Sequence, residues 1–223
     1  MRNIEQDPGI QRRASGGMRT ALLLAAGISM GWTGGAGADE PDAATQAHAQ
    51  KVAITVCGTC HGPTGNNTQP KYPRLAGQSA NYLVAQLKAF RSQTRGDPDA
   101  IGYMWGMASE LDDATVAALA GYYAAQKAQP TRAGDTALIA RGREIYEHGI
   151  SAEGVPACNA CHGPDAHGLQ DFPRLAAQHA QYVLKQLASF QNNMRNVAVM
   201  HGVAQNLRLA EMQAVAAYLE AQP

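Results

Sequence analysis

Two copies of one short motif constrain this chain more than anything else in it: Cys57-Gly58-Thr59-Cys60-His61 and Cys158-Asn159-Ala160-Cys161-His162. Both read C-x-x-C-H. With 4 cysteines and 7 histidines in 223 residues, one such match would arise by chance roughly twice in a thousand, so two require a cause. In this pattern two thiols add across the two vinyl groups of one haem, and the adjacent histidine is thereby placed to ligate the iron. Zinc and a redox dithiol are the competing chemistries. Zinc ribbons bring their cysteine pairs within about 15 to 20 residues, whereas the span here runs from Cys60 to Cys158, and a redox C-x-x-C needs neither the histidine nor a second copy. The motifs imply two covalently bound haem c groups, one at each pair of cysteines.

The chain repeats itself around these motifs. Tyr72-Pro73-Arg74-Leu75-Ala76-Gly77-Gln78 matches Phe172-Pro173-Arg174-Leu175-Ala176-Ala177-Gln178, and Tyr82, Gln86, Leu87 and Phe90 match Tyr182, Gln186, Leu187 and Phe190. After a short contraction, Met104-x-Gly106-x-Ala108-x-x-Leu111 matches Met200-x-Gly202-x-Ala204-x-x-Leu207. The polar stretch 128–135, with Pro130 and Gly134, reads as the linker. Each half is small enough that side chains alone make a marginal core, and a haem supplies the missing apolar mass.

Periodicity is helical. Leu209, Met212, Val215, Ala216 and Leu219 recur at three to four residues, as do Val116, Leu119 and Tyr123, with Asp112 or Asp113 placed to cap the earlier helix. Middle helices are expected from about Ser79 and His179, and no alternating stretch is long enough to build a sheet. The fold class is therefore all-α, two small haem domains in tandem.

Residues 1–38 read as a secretory leader: Arg12, Arg13 and Arg19 precede the apolar run from Ala21 to Met30, and Ala36-Gly37-Ala38 offers a cleavage signal. Translation starts at Met1 or at Met18, and the mature chain begins near Asp39 in either case. The domains are then 1–38 leader, 39–130 N-terminal and 131–223 C-terminal. The apolar run is too short to span a bilayer. From residue 39 onward there are 14 basic and 16 acidic side chains, a net charge of −2, which argues against nucleic-acid binding.

Together, the two motifs, the paired Tyr/Phe-Pro-Arg-Leu-Ala-x-Gln segments and the Met-x-Gly-x-Ala-x-x-Leu segments make the whole mature chain resemble the cytochrome c4 family of dihaem c-type cytochromes. The resemblance implies a periplasmic electron carrier with His/Met-ligated haems, running from a respiratory-chain donor to a haem-copper terminal oxidase, with peripheral membrane association compatible with that role. It further implies that the carbonyls of Pro73 and Pro173 accept the Nδ1 hydrogens of His61 and His162.

Duplication selects the sixth ligands. Met107 aligns with Val203, whereas Met104 aligns with Met200, and a ligand should exist in both copies; a soft neutral thioether also favours reduced iron. The iron ligands expected are His61, Met104, His162 and Met200, while Met107 and Met194 are assigned to packing. Arg74 and Arg174 are candidates for holding haem propionates or lining the boundary between halves. Tyr72 and Phe172 read as packing, and His48, His148, His167, His179 and His201 as surface residues.

Three functional classes stay in play. A free electron carrier, without an enzyme activity of its own, fits two filled coordination spheres. An electron-accepting subunit of a periplasmic dehydrogenase, such as flavocytochrome c sulfide dehydrogenase, fits the same residues. A dihaem peroxidase would need an iron position open to substrate, against which Met104 and Met200 weigh.

Overall fold

The computed structural model describes residues 41–131 and 134–223. The leader, its cleavage point and the start near Asp39 lie outside the described residues. Among these residues there is no strand, only two isolated bridges, Ile150 with Val155 and Leu169 with Phe172.

In the first half, α1 (Ala43–Val52) starts at Asp42, whose carboxylate accepts a hydrogen bond from Thr45 N at 2.7 Å. It runs through a π-helical turn (Ala53–Cys57) straight into the short motif helix α2 (Gly58–His61). Next come α3 (Ala80–Arg91), a second π-helical turn (Ala100–Met104), α4 (Trp105–Ala108) and α5 (Asp113–Ala124). Asp112 is the cap of α5, accepting from Thr115 N at 2.7 Å. In the second half α6 (Thr136–His148) is capped by Asp135, and α7 (Asn159–His162), α8 (Ala180–Gln191), α9 (Ala198–Ala204) and α10 (Leu209–Ala221) follow.

Each half has its own core. Around α1, α3 and α5 this is Ala49, Ala53, Leu83, Leu119 and Tyr123; around α6, α8 and α10 it is Ile145, Tyr146, Val183, Leu187, Val215 and Leu219. The periodic residues of the terminal helices are buried as expected except Leu209, which is 60% exposed. It is the first residue of α10, a turn before the helix meets its neighbours. Helix α1 is not legible as an amphipathic stripe, because its contact face is small: Ala49 is its one buried residue. Helix α6 instead approaches α10 through Gly142, where a Cβ would stand 2.0 Å from Ala214 O and 2.7 Å from the Tyr218 side chain.

The halves are joined by a reciprocal clasp. Gln78 Nε2 donates to Arg174 O at 2.9 Å while Gln78 Oε1 accepts from Arg174 N at 2.8 Å; Gln178 makes the same pair with Arg74, at 2.9 and 2.8 Å. One carboxamide thus completes the backbone pairing of one residue in the other half, twice, about a pseudo-twofold relation. Beside it lies a buried polar cluster from α3, α8 and the segments following them. Gln86 Oε1 and Gln186 Oε1 each accept from both Arg95 and Arg195, at 2.7 to 2.9 Å, and the two guanidiniums reach across to Tyr182 and Tyr82. One residue breaks the symmetry: Asp97 pairs with Arg95 at 2.7 Å, and the repeat puts Val197 in its place opposite Arg195.

Candidate functional site

Burial brings each motif histidine into its half while its cysteines stay partly accessible. His61 and His162 are both 7% exposed. The motif helices end at Gly62 (φ +77°) and Gly163 (φ +80°), a left-handed conformation open to glycine, and the chain turns away immediately after each histidine. The following loop then returns a proline: His61 Nδ1 donates to Pro73 O at 2.9 Å and His162 Nδ1 to Pro173 O at 3.0 Å. In both rings burial lowers the pKa, opposed by the proline bond. A neutral ring with its Nδ1 proton on a carbonyl presents a free Nε2 lone pair, the form in which imidazole ligates iron.

Tyrosines fix the motif segments from behind: Tyr123 Oη donates to Ala53 O at 3.0 Å, and Tyr146 Oη to Gly163 O at 2.6 Å. Tyr72 and Phe172 stand edge-on to the motif histidines, with ring centroids 6.2 and 6.0 Å away. None of the four cysteines is joined to another in a disulfide. Burial raises the Cys57 thiol and pushes Cys158 up to about 11. Among the described residues no three His, Cys, Asp or Glu side chains converge to hold a metal ion.

The surroundings fit a porphyrin. Large apolar side chains that stand exposed are concentrated beside the motifs and the methionines: Ile54 and Val56, Ile101 and Tyr103 in the first half, Leu169 and Phe172, Val197 and Val199 in the second. Scattered single residues would need no explanation, but Ile101 and Tyr103 correspond to Val197 and Val199 at the offset of Met104 and Met200, so exposed apolar surface recurs beside each methionine, where a flat apolar ligand would cover it. Met104 closes the π-helical turn before α4 and Met200 lies in α9; each is half-buried and packs against the core of its own half. Met107 and Met194 are 48% and 42% exposed, so neither is buried within the protein core.

Arg74 and Arg174 lie at the boundary between halves, where their backbones form the clasp. The Arg74 side chain donates to Asn67 O, Gln129 O and Ala177 O, and Arg174 Nη2 donates to Pro223 O. His48, His148 and His167 are exposed. His201 is half-buried and bonded to Phe190 O at 2.8 Å. His179 departs from the surface assignment altogether. It is 5% exposed and reaches across to Asn67 of the first half. Sequence reading also passed over Arg95 and Arg195, although their equal offset from Gln86 and Gln186 was available as a signal.

Comparison with known proteins places this geometry. A family model described as "Cytochrome c" matches twice, over residues 46–125 and 139–222. A solved structure of cytochrome c4 from Acidithiobacillus ferrooxidans superposes with a TM-score of 0.71 at 42% identity, covering 74% of this chain and 97% of that one. Cytochrome c4 of Azotobacter vinelandii is 38% identical over 190 residues, 80% of this chain and 90% of its own length. A thiosulfate dehydrogenase electron acceptor from Thiomonas intermedia is 38% identical over 174 residues, 75% of this chain and 78% of its own.

Proposed function

Because the chain belongs to the cytochrome c family, as a dihaem electron carrier of the cytochrome c4 type, we propose that it carries electrons in the periplasm from a respiratory donor to a haem-copper terminal oxidase. It holds two covalent haem c groups, at Cys57/Cys60 and at Cys158/Cys161. Each haem supplies one-electron chemistry by cycling its iron between ferric and ferrous states. The protein's own contribution is to ligate, to position and to set the potentials.

In this reading His61 and Met104 hold one iron and His162 and Met200 the other. The observation that carries it is the duplicated His–Pro geometry joined by the glutamine clasp. Pro73 and Pro173, which orient the two ligand histidines, are each followed directly by the arginine that the opposite half's glutamine grips. The two ligand-bearing loops are thereby held against each other, so an electron entering one half has a short, rigid route to the other. We place the division between domains at 130/131 and export before residue 39. No helix among the described residues is long and apolar enough to cross a membrane, so membrane contact in this reading is peripheral.

A second reading has its own support. The similarity to a thiosulfate dehydrogenase electron acceptor favours a role as the electron-accepting partner of a periplasmic dehydrogenase, with a sulfur-oxidising enzyme as donor. One experiment separates them. The reduced, haem-loaded protein is mixed with membranes containing a terminal oxidase, and the oxidised protein with thiosulfate and a thiosulfate dehydrogenase. Rapid oxidation by membranes that weakens as salt rises supports the carrier; fast thiosulfate-dependent reduction with slow oxidation by membranes supports the dehydrogenase partner. Peroxide turnover at enzymatic rates would overturn both.

A further inference from the structure

His179 stands where the repeat puts Ser79 in the first half. Ser79 caps its helix, accepting from Tyr82 N, whereas α8 has no side-chain cap because His179 points elsewhere. Its ring crosses to the first half. Nε2 donates to Asn67, with Oδ1 at 3.1 Å and the backbone O at 3.2 Å, and Nδ1 faces Glu220 Oε1 at 3.4 Å. Asn67 is itself buried, and its amide orientation is fixed by its neighbours. The oxygen side takes His179 and Gln69 N (3.0 Å), and the nitrogen side donates to Tyr72 O (3.2 Å) and Pro73 O (3.0 Å). Pro73 O is the acceptor of His61 Nδ1. An unbroken line of hydrogen bonds therefore runs from His179 of the second half, through Asn67 and Pro73 O, to the histidine of the first motif.

The second half has nothing equivalent. Its loop from His162 to Pro173 is one residue shorter, Gly168 falls at the place of Asn67, and among the described residues Pro173 O accepts only from His162 Nδ1.

We infer that Asn67, locked by His179 of the C-terminal half, is a positioning residue that lowers the basicity of His61 and so raises the potential of the first-half haem alone. The inference rests on His61 being the iron ligand, as proposed above. A carbonyl shared between two donors accepts less strongly from each, so the His61 Nδ1 bond is weaker than that of His162 and its ring has less imidazolate character. Imidazolate character stabilises ferric iron, and limiting it favours the ferrous state. His179 gives the Asn67 amide oxygen a second donor beside Gln69 N and so strengthens the hold on its orientation. Coupling thus passes between halves through hydrogen bonds as well as through electron transfer.

The test is a spectroelectrochemical titration of each haem in the haem-loaded protein, with Met200→His used as a background that moves the second haem's transition away. Asn67→Ala should lower the ferrous-to-ferric ratio of the first haem at least threefold at fixed ambient potential and leave the second unmoved. His179→Ala, a change in the other half's sequence, should lower the same ratio about twofold. His179→Gln, which retains a donor for Asn67, should restore most of it. The hyperfine-shifted His61 Nδ1 proton signal should move in Asn67→Ala while that of His162 stays. An unchanged first-haem ratio in both alanine variants, or an equal shift of both haems, overturns the inference. A wild-type first haem lacking a low-spin, histidine-ligated spectrum would instead overturn the ligand assignment. If Asn67→Ala fails to fold, the His179→Ala and His179→Gln pair decides alone.

Discussion

Replacing Gln78 by Ala removes half of the clasp and should loosen the contact between the two halves without touching either motif. Two hydrogen bonds are lost, Gln78 Nε2 to Arg174 O and Arg174 N to Gln78 Oε1, at 2.9 and 2.8 Å, together with the local bond from Ser79 N at 3.0 Å. Each interhalf bond contributes about 1 kcal/mol net, and a peptide group left unpaired away from water costs about 1–3 kcal/mol more. The expected destabilisation is therefore about 2–5 kcal/mol, at the upper end for a single substitution outside the apolar core. Guanidinium unfolding of the haem-loaded protein, followed by far-ultraviolet circular dichroism and by haem absorbance, should change from one transition towards two as the halves uncouple. Gln78→Glu keeps an acceptor for Arg174 N but opposes a carboxylate to Arg174 O, and should also destabilise. Adding Gln178→Ala should cost less than it does alone, because both residues act at one interface. A loss below about 0.5 kcal/mol with one unchanged transition would refute the reasoning, since the clasp would then be replaced by water without penalty.

Gly142→Ala should disrupt the second half, because its Cβ would meet Ala214 O at 2.0 Å; a loss of about 3 kcal/mol or more is expected from overpacking. Gly121→Ala, at a helical glycine with nothing within 4 Å of its Cβ, should instead stabilise by about 0.5–1 kcal/mol, and thermal unfolding of the pair checks both. Burial pushes the Asp97 carboxyl upward, but the Arg95 charge and hydrogen bond, helped by Gln186 and Arg195, outweigh it and hold it below the usual range. A lowered folded pKa means stability that is present above the unfolded value, about 3.9, and is lost as pH falls through the folded one. Asp97→Asn should therefore be less stable near pH 7 and lose less below pH 4, which denaturation at both pH values measures. If Met104 and Met200 are the ligands, the oxidised protein should show a far-red iron–sulfur absorption. Each Met→His change should lower the potential of its own haem, while Met107→Leu and Met194→Leu leave that absorption intact.

The sequence by itself determined what is local or repeated. Thioether attachment needs the second cysteine and the histidine three and four residues after the first cysteine, so Cys57, Cys60 and His61 and their copies are legible without any structure. Periodicity exposed α3, α5, α8 and α10 because each buries a stripe of large apolar side chains. Helix α1 escaped because it packs through alanine, and α6 meets α10 at Gly142, which leaves no hydrophobic mark in the sequence even though Ile145 and Tyr146 of the same helix are buried. Only the tertiary structure decided what crosses between halves. Gln78 and Gln178 were visible as a repeat, but their partners are backbone groups 96 and 104 residues away, and any residue presents a backbone to a carboxamide. His179 shows the same limit: a histidine replacing a cap serine reads as surface until the fold brings Asn67 within 3.1 Å of its ring. Local covalent geometry is written into spacing, whereas a contact whose partner is a main-chain atom or a lone side chain leaves no spacing to read. It exists only once two separately folded surfaces meet.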